Sequence, residues 1–272
     1  MTISELKKDA KVKLSGSYTK AFLISLIYYA FVFALSYIIG FISNTWIILV
    51  FEIALAIISI PLSFGIISSF IKIVRNEDVA ILDFLKIGFN NFKGAWRTCL
   101  RTVVNLILPI ILLVASYIFM IYSILQAAFI GITNTDIPSS IYNLFFISIA
   151  LVIVTVIFYV YKSLSYSLTL YILHDKPTAT GKEINDESKK LMKGNKWKII
   201  LLSLSFIGWI LLILLISFII IILLGETAGF IVSSLGTILL TPYINASLVC
   251  FYEDLKDENK EDKKEAEPVQ EA

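Results

Sequence analysis

Long apolar runs divide this chain, and all 23 of its lysines and arginines fall at the ends or in alternate gaps. Lys7, Lys8, Lys11, Lys13 and Lys20 lead into the first run. Lys72, Arg75, Lys86, Lys93, Arg97 and Arg101 occupy the second gap and its flanks. Lys162, Lys176, Lys182, Lys189, Lys190, Lys193, Lys196 and Lys198 occupy the fourth. Lys256, Lys260, Lys263 and Lys264 follow the last run, and the first, third and fifth gaps hold none. Basic residues stay on the cytoplasmic side during insertion, so this pattern sets orientation. It predicts an all-α, polytopic membrane bundle of six transmembrane helices in three helical hairpins, with N- and C-termini cytoplasmic.

Composition supports lipid as the solvent. Hydrophobic residues make up 58% of the chain and mean hydropathy is +0.85, whereas soluble domains are about 45–50% apolar. A helix needs about 20 apolar residues to cross the hydrocarbon. The expected spans are 21–42, 46–71, 102–125, 141–161, 199–224 and 228–251. Together they make 1–252 one membrane domain. The first run is longer than a signal-peptide core of about 7–15 residues and lacks a small-residue cleavage site, so it is read as a retained span. The remainder, 253–272, is rich in both charges, predominantly acidic, and is expected to be a disordered cytoplasmic tail. Opposite charges at i,i+3, as at Glu253 and Lys256, offer a short exposed helix as the other reading. Cys99 and Cys250 are read as apolar packers in a reducing compartment, without a disulfide. Trp46, Trp96 and Trp197 mark membrane interfaces, and Trp209 is read as packing inside its span.

The basic connections carry helix signals. Thr2–Glu5 and Thr180–Glu183 have capping-box spacing, and Asn76 is read as the cap of a helix starting at Glu77. Apolar stripes follow each: Ile3, Leu6, Ala10 and Leu14; Ile81, Leu85, Phe89 and Phe92; and a thinner one of Ile184, Leu191 and Met192. Such amphipathic helices lie in the cytoplasmic headgroup plane or pack on the ends of the spans, and the two are compatible. Each leads to a glycine and then an odd-numbered span: Gly16, Gly94 and Gly194. Glycine accepts left-handed dihedrals, which suits a sharp turn into the membrane. Leu14–Leu26 aligns without a gap on Met192–Leu204, and Pro61 and Pro242 each precede a phenylalanine by nine residues, as Lys162 precedes Tyr171. The chain therefore reads as three copies of one unit: surface helix, glycine hinge, span out, span back.

Several of these stretches carry a resemblance. Gly16-Ser17-Tyr18, Gly88-Phe89 with Phe92, Ser188 with Met192-Lys193-Gly194, Leu204-Ser205-Phe206-Ile207-Gly208-Trp209, Pro242-Tyr243 and Phe251-Tyr252 resemble the signature of the bacterial integral-membrane family known as domain of unknown function 975. The likeness covers nearly everything up to Tyr252. It implies a polytopic protein of the bacterial cytoplasmic (plasma) membrane, and no activity, cofactor or catalytic residue.

Residues for catalysis are sparse. His174 is the single histidine, and one histidine makes no zinc site without cysteine or carboxylate company. The chain has no HExxH pair, no GxSxG elbow and no phosphate-binding glycine–lysine loop. No enzyme activity, no cofactor, no metal and no nucleic-acid partner are expected. Two charges interrupt apolar runs: Glu52, about 9 Å into the second span from Trp46, and Lys162. Buried in lipid they would mark a carrier cavity; otherwise Glu52 sits at the outer headgroups and Lys162 snorkels inward. Pro61, Pro109 and Pro242 remove helix hydrogen bonds, a device of transporters and a commonplace of membrane helices. Small residues such as Gly65 with Ser69, and Gly229 with Ser233, permit close helix contact; whether between copies is left open.

The leading expectation is a non-catalytic protein acting through membrane lipids of the anionic inner leaflet, or through a membrane protein partner. Envelope upkeep, complex assembly and self-protection against a membrane-active peptide are roles of that kind. Its basic surface would be Lys7, Lys8, Lys11, Lys189, Lys190, Lys193, Lys196 and Lys198. The alternative is a small carrier with a cavity near Glu52 and Lys162.

Overall fold

The computed structural model describes residues 1–132 and 138–266. Those residues contain helices and turns and no strand. Among the described residues six helical stretches are long and apolar enough to cross a membrane. The chain begins with α1 (Ile3–Leu14), α2 (Tyr18–Ile39), α3 (Thr45–Val74), α4 (Asp83–Asn90), α5 (Phe92–Ile132) and α6 (Ser139–Ser163). After a 3-10 turn at Leu164–Tyr166 come α7 (Thr169–Asp175), α8 (Gly181–Leu191), α9 (Lys196–Leu204), α10 (Ile207–Leu224) and α11 (Glu226–Ala266).

Packing is concentrated at one end of the spans. α3 buries nothing before Pro61, then Phe64, Phe70, Ile71 and Val74. In α11 Ala246, Val249, Phe251 and Leu255 are buried. The core is completed by Leu6, Ala10 and Leu14 of α1, Phe84 of α4, Leu173 of α7 and Ile184 of α8. All these residues lie near the basic connections, so this end is the basic face. Toward the far face the spans are apolar all round and exposed: α10 buries only Ser217, and α6 only Ser148. Such a surface is stable only in lipid or against another apolar surface.

Capping boxes form at both expected places. Thr2 Oγ1 accepts from Glu5 N at 3.3 Å while Glu5 Oε2 accepts from Thr2 N at 2.7 Å, and Thr180 and Glu183 repeat the exchange. The stripes of α1 and α8 face the protein core. In α4 the stripe is displaced. Phe84 and Gly88 are buried, whereas Phe89 is 46% exposed. Asn76 also differs from expectation. It adopts φ +57°, its N–H donates to Ile73 O at 3.1 Å, and that of Glu77 donates to Lys72 O at 2.8 Å. This pair of bonds ends α3 with a left-handed residue. Asparagine suits either role, and here it closes the preceding helix rather than opening the next. Of the three glycine hinges only Gly194 is left-handed, at φ +87°; Gly94 lies inside α5.

The expected fifth span is broken between α9 and α10. Ser205 N donates to Leu201 O at 2.9 Å and Phe206 N to Ser203 O at 3.2 Å, a tightened turn. The Ser205 carbonyl accepts from Lys7 Nζ at 3.2 Å. The hairpins are unequal as well. α5 runs along α6 and α10 along α11, whereas α2 packs more on α11 than on α3. Helix α11 continues past Tyr252 to Ala266, so the first part of the expected tail is helical and its first turns join the core; residues 267–272 lie outside the described ones.

A cyclic pattern links the units. The residue two places after each glycine donates to a carbonyl of an even-numbered span. Trp96 Nε1 donates to Ile57 O at 3.1 Å, and Lys196 Nζ to Tyr161 O at 3.0 Å. Tyr18 OH donates to Leu239 O at 2.7 Å, closing the first unit on the third.

Candidate functional site

Three even-numbered spans bring their basic-face ends together, and their end charges form one cluster. Arg75 follows α3, Asp175 ends α7 and Glu253 lies in α11. Arg75 Nη1 donates to Asp175 Oδ1 at 2.8 Å and Nη2 to Oδ2 at 3.2 Å, a two-point grip on one carboxylate. Its Nε donates to Glu253 Oε1 at 2.9 Å. Tyr252 OH donates to Asp175 Oδ2 at 2.8 Å, and Lys256 pairs with the same oxygen. Burial opposes the charge on Arg75, but its hydrogen bonds to Asp175 and Glu253 outweigh this and raise its pKa further. The guanidinium is thus a fixed cation and holds three chain segments by charge. Beside it Lys198 Nζ donates to Asp254 Oδ2 at 2.8 Å.

Neutral bonds tie α8 into the same end. Asn185 is fully buried; its Oδ1 accepts from Thr102 at 3.0 Å and from Asn105 at 3.1 Å, and its Nδ2 donates to Gly181 O at 2.8 Å. Ser188 Oγ donates to Ser165 O at 3.0 Å and accepts from Leu168 N at 3.3 Å. Neither this network nor the Arg75 cluster was singled out from sequence. The available signal was opposite charges just beyond successive even-numbered spans, which becomes meaningful only once those ends converge.

Around this hub the cations face outward. Three recesses on the basic face are lined by basic and aromatic residues without an acid. One holds Lys11 with Tyr18, Trp209 and Tyr243, and continues to Lys7 and Lys8. A second holds Lys93, Arg97, Arg101 and Lys182 with Trp96. The third holds Lys162, Lys189, Lys193 and Lys196 with Tyr161, Tyr166 and Trp197. Trp209, expected inside the packing, is instead 53% exposed at the rim of the first.

The lysines expected to form a lipid surface therefore divide. Lys8, Lys11, Lys189, Lys190 and Lys193 are exposed and in no ion pair among the described residues. Lys7 is turned inward, its Nζ 4.6 Å from the Phe206 ring centre. Lys198 is committed to Asp254. Lys196 lies 3.5 Å from the Tyr161 ring centre.

Glu52 is exposed, about 10 Å along α3 from its first residue, and Lys162 is exposed at the opposite, basic-face end of α6. The structure does not bring the two together, and the recess that Lys162 lines does not include Glu52. His174, beside Asp175 in α7, is half-buried. Cys99 and Cys250 are both free thiols. Among the described residues no group of three or more His, Cys, Asp or Glu is arranged to hold a metal ion.

No curated protein and no solved structure matches the chain. The family described as protein of unknown function, DUF975, matches residues 1–259. With six helices long and apolar enough to cross a membrane and a match over nearly its whole length, the chain is an integral membrane protein of unknown activity that belongs to that family.

Proposed function

We propose that this is a non-catalytic protein of the bacterial plasma membrane, which presents a rigid platform to the anionic inner leaflet and acts through lipid or protein partners there. Its basic face is cytoplasmic in this reading, as are both termini. The observation that carries it is the division of charge: acidic side chains bind the span ends together, while basic ones line three acid-free recesses beside aromatic residues. Each lysine or arginine near an anionic surface contributes about 1 kcal/mol. Tryptophan and tyrosine prefer the level where headgroups meet hydrocarbon. The platform belongs to the core, so it is held at a fixed height relative to the spans. Envelope upkeep, assembly of another complex, or protection against a membrane-active peptide are duties suited to such a body.

Mass spectrometry of the gently extracted protein tests the reading. Anionic phospholipid or a co-purifying membrane protein is the expected result. A stoichiometric non-lipid small molecule, lost on Glu52→Gln or Lys162→Met substitution, would instead establish the carrier.

A further inference from the structure

We propose that the recess between the end of α6 and the α8–α9 turn is a specific headgroup site for one anionic phospholipid, selective for a headgroup with two phosphates. This rests on the lipid-partner reading above and narrows it from a charged face to a single site. Lys162, Lys189, Lys193 and Lys196 line a cavity of about 470 Å³ with no acidic residue among its walls. Ammonium groups confined together repel, and an anion that enters removes that repulsion. Lysine binds phosphate as a point charge. Lys196 is held in place by the Tyr161 carbonyl at 3.0 Å. The other three make no ion pair among the described residues.

The surroundings select a lipid over a free anion. Trp197 is 71% exposed at the rim, and the adjoining surface of α6 is apolar and open, including Ile157 and Val160. A ligand with its charge among the lysines therefore has exposed apolar surface for its acyl chains within one helical turn of Tyr161 on α6. Four cations exceed what one phosphodiester neutralises, which favours two. In the first recess Lys7 is turned onto the Ser205 carbonyl; the second matches this one in free cations, and this one is singled out by the three aromatic side chains, Tyr161, Tyr166 and Trp197, that line it with the lysines.

The test is native mass spectrometry of the full chain titrated with cardiolipin, phosphatidylglycerol or inorganic pyrophosphate. Wild type is expected to retain one cardiolipin, at least about tenfold tighter than phosphatidylglycerol, with pyrophosphate a poor competitor. Replacing Lys189→Gln and Lys193→Gln together removes two exposed charges without a structural bond. It is expected to weaken retention about thirtyfold, from the usual worth of two lysines at an anionic surface. The control pair Lys86→Gln and Lys176→Gln, exposed lysines that line none of the three recesses, is expected to leave it unchanged. Equal losses from both pairs, or no preference for cardiolipin, would overturn the site while leaving the general lipid reading intact. Full competition by pyrophosphate would make the ligand a soluble phosphate and overturn the lipid assignment. No retained anionic lipid in any form would overturn both readings.

Discussion

The indole Nε1 of Trp96 donates at 3.1 Å to the carbonyl of Ile57, the group that Pro61 leaves without its normal helical donor. A proline in a membrane helix exposes a carbonyl that water cannot reach, and a neighbouring chain must satisfy it. Here the donor comes from the start of the next odd-numbered span.

Replacing Trp96→Phe should leave that carbonyl unpaired and destabilise the protein by about 1–3 kcal/mol. In a Pro61→Ala background the same change should cost much less, because that substitution restores a backbone N–H able to donate to Ile57 O. Unfolding of the four proteins in detergent gives the coupling energy. Strict additivity would show that the indole bond and the proline are unrelated.

Asp175 accepts from Arg75, Tyr252 and Lys256, so Asp175→Asn leaves two cations under-compensated. Breaking a fully buried pair costs about 3–5 kcal/mol. The cluster is partly exposed, with side-chain exposures of 25% for Arg75 and 14% for Asp175, so a smaller loss of about 2 kcal/mol is expected. Lys176→Gln, whose partner Glu187 lies at the surface, should cost less than about 1 kcal/mol. Thermal unfolding midpoints compare the two.

Gly65 and Gly88 set the approach of α4 to α3. A Cβ at Gly65 would overlap the carbonyl oxygen of Phe84, and one at Gly88 would overlap that of Pro61. Both obstacles are backbone, so either alanine substitution should cost about 1–3 kcal/mol or more by overpacking. Gly208→Ala meets nothing within 4 Å and should be neutral or slightly stabilising. Equal stability of all three variants would refute this contact.

Gly194→Ala should be strained by about 1–2 kcal/mol because φ is +87°. Gly16→Ala, at the aligned position in the first unit, has open space and no left-handed dihedral, so it should be tolerated. The pair tests whether the repeated glycines do the same work; unfolding by denaturant distinguishes them.

Truncation tests where the domain ends. A chain ending at 252 loses Glu253, Asp254 and Lys256, and with them contacts to Arg75, Lys198 and Asp175. It should be markedly less stable than a chain ending at 259. Equal stability of the two would show that the first turns beyond Tyr252 contribute nothing.

Local sequence signals gave six helices long and apolar enough to cross a membrane, the capping boxes of α1 and α8 and the buried stripes of those helices. These are local quantities: run length, alternation of charge across gaps, and the 3.6-residue repeat. The family resemblance also followed from residues in order along the chain, and its Ser-Phe-Ile-Gly-Trp run proved to span the α9–α10 break. The repeat was legible as a sequence alignment, but its closure from Tyr18 onto Leu239 was not, since 221 positions separate them.

Only the tertiary structure decided which charges face outward. Lys7 and Lys8 are neighbours of the same type, yet Lys7 reaches the Ser205 carbonyl and Lys8 is exposed. Asn76 is a sound helix start by residue type, and becomes a helix end because the backbone of α3 turns there. The phase of α4 was set by Gly88 meeting the Pro61 backbone, a contact between elements that no stripe within α4 encodes. The amino-acid sequence determined that this chain needs lipid and how many times it crosses, because burial of apolar length is a property of each run alone. The fold decided which cations are left for a ligand, because pairing depends on which helix ends converge.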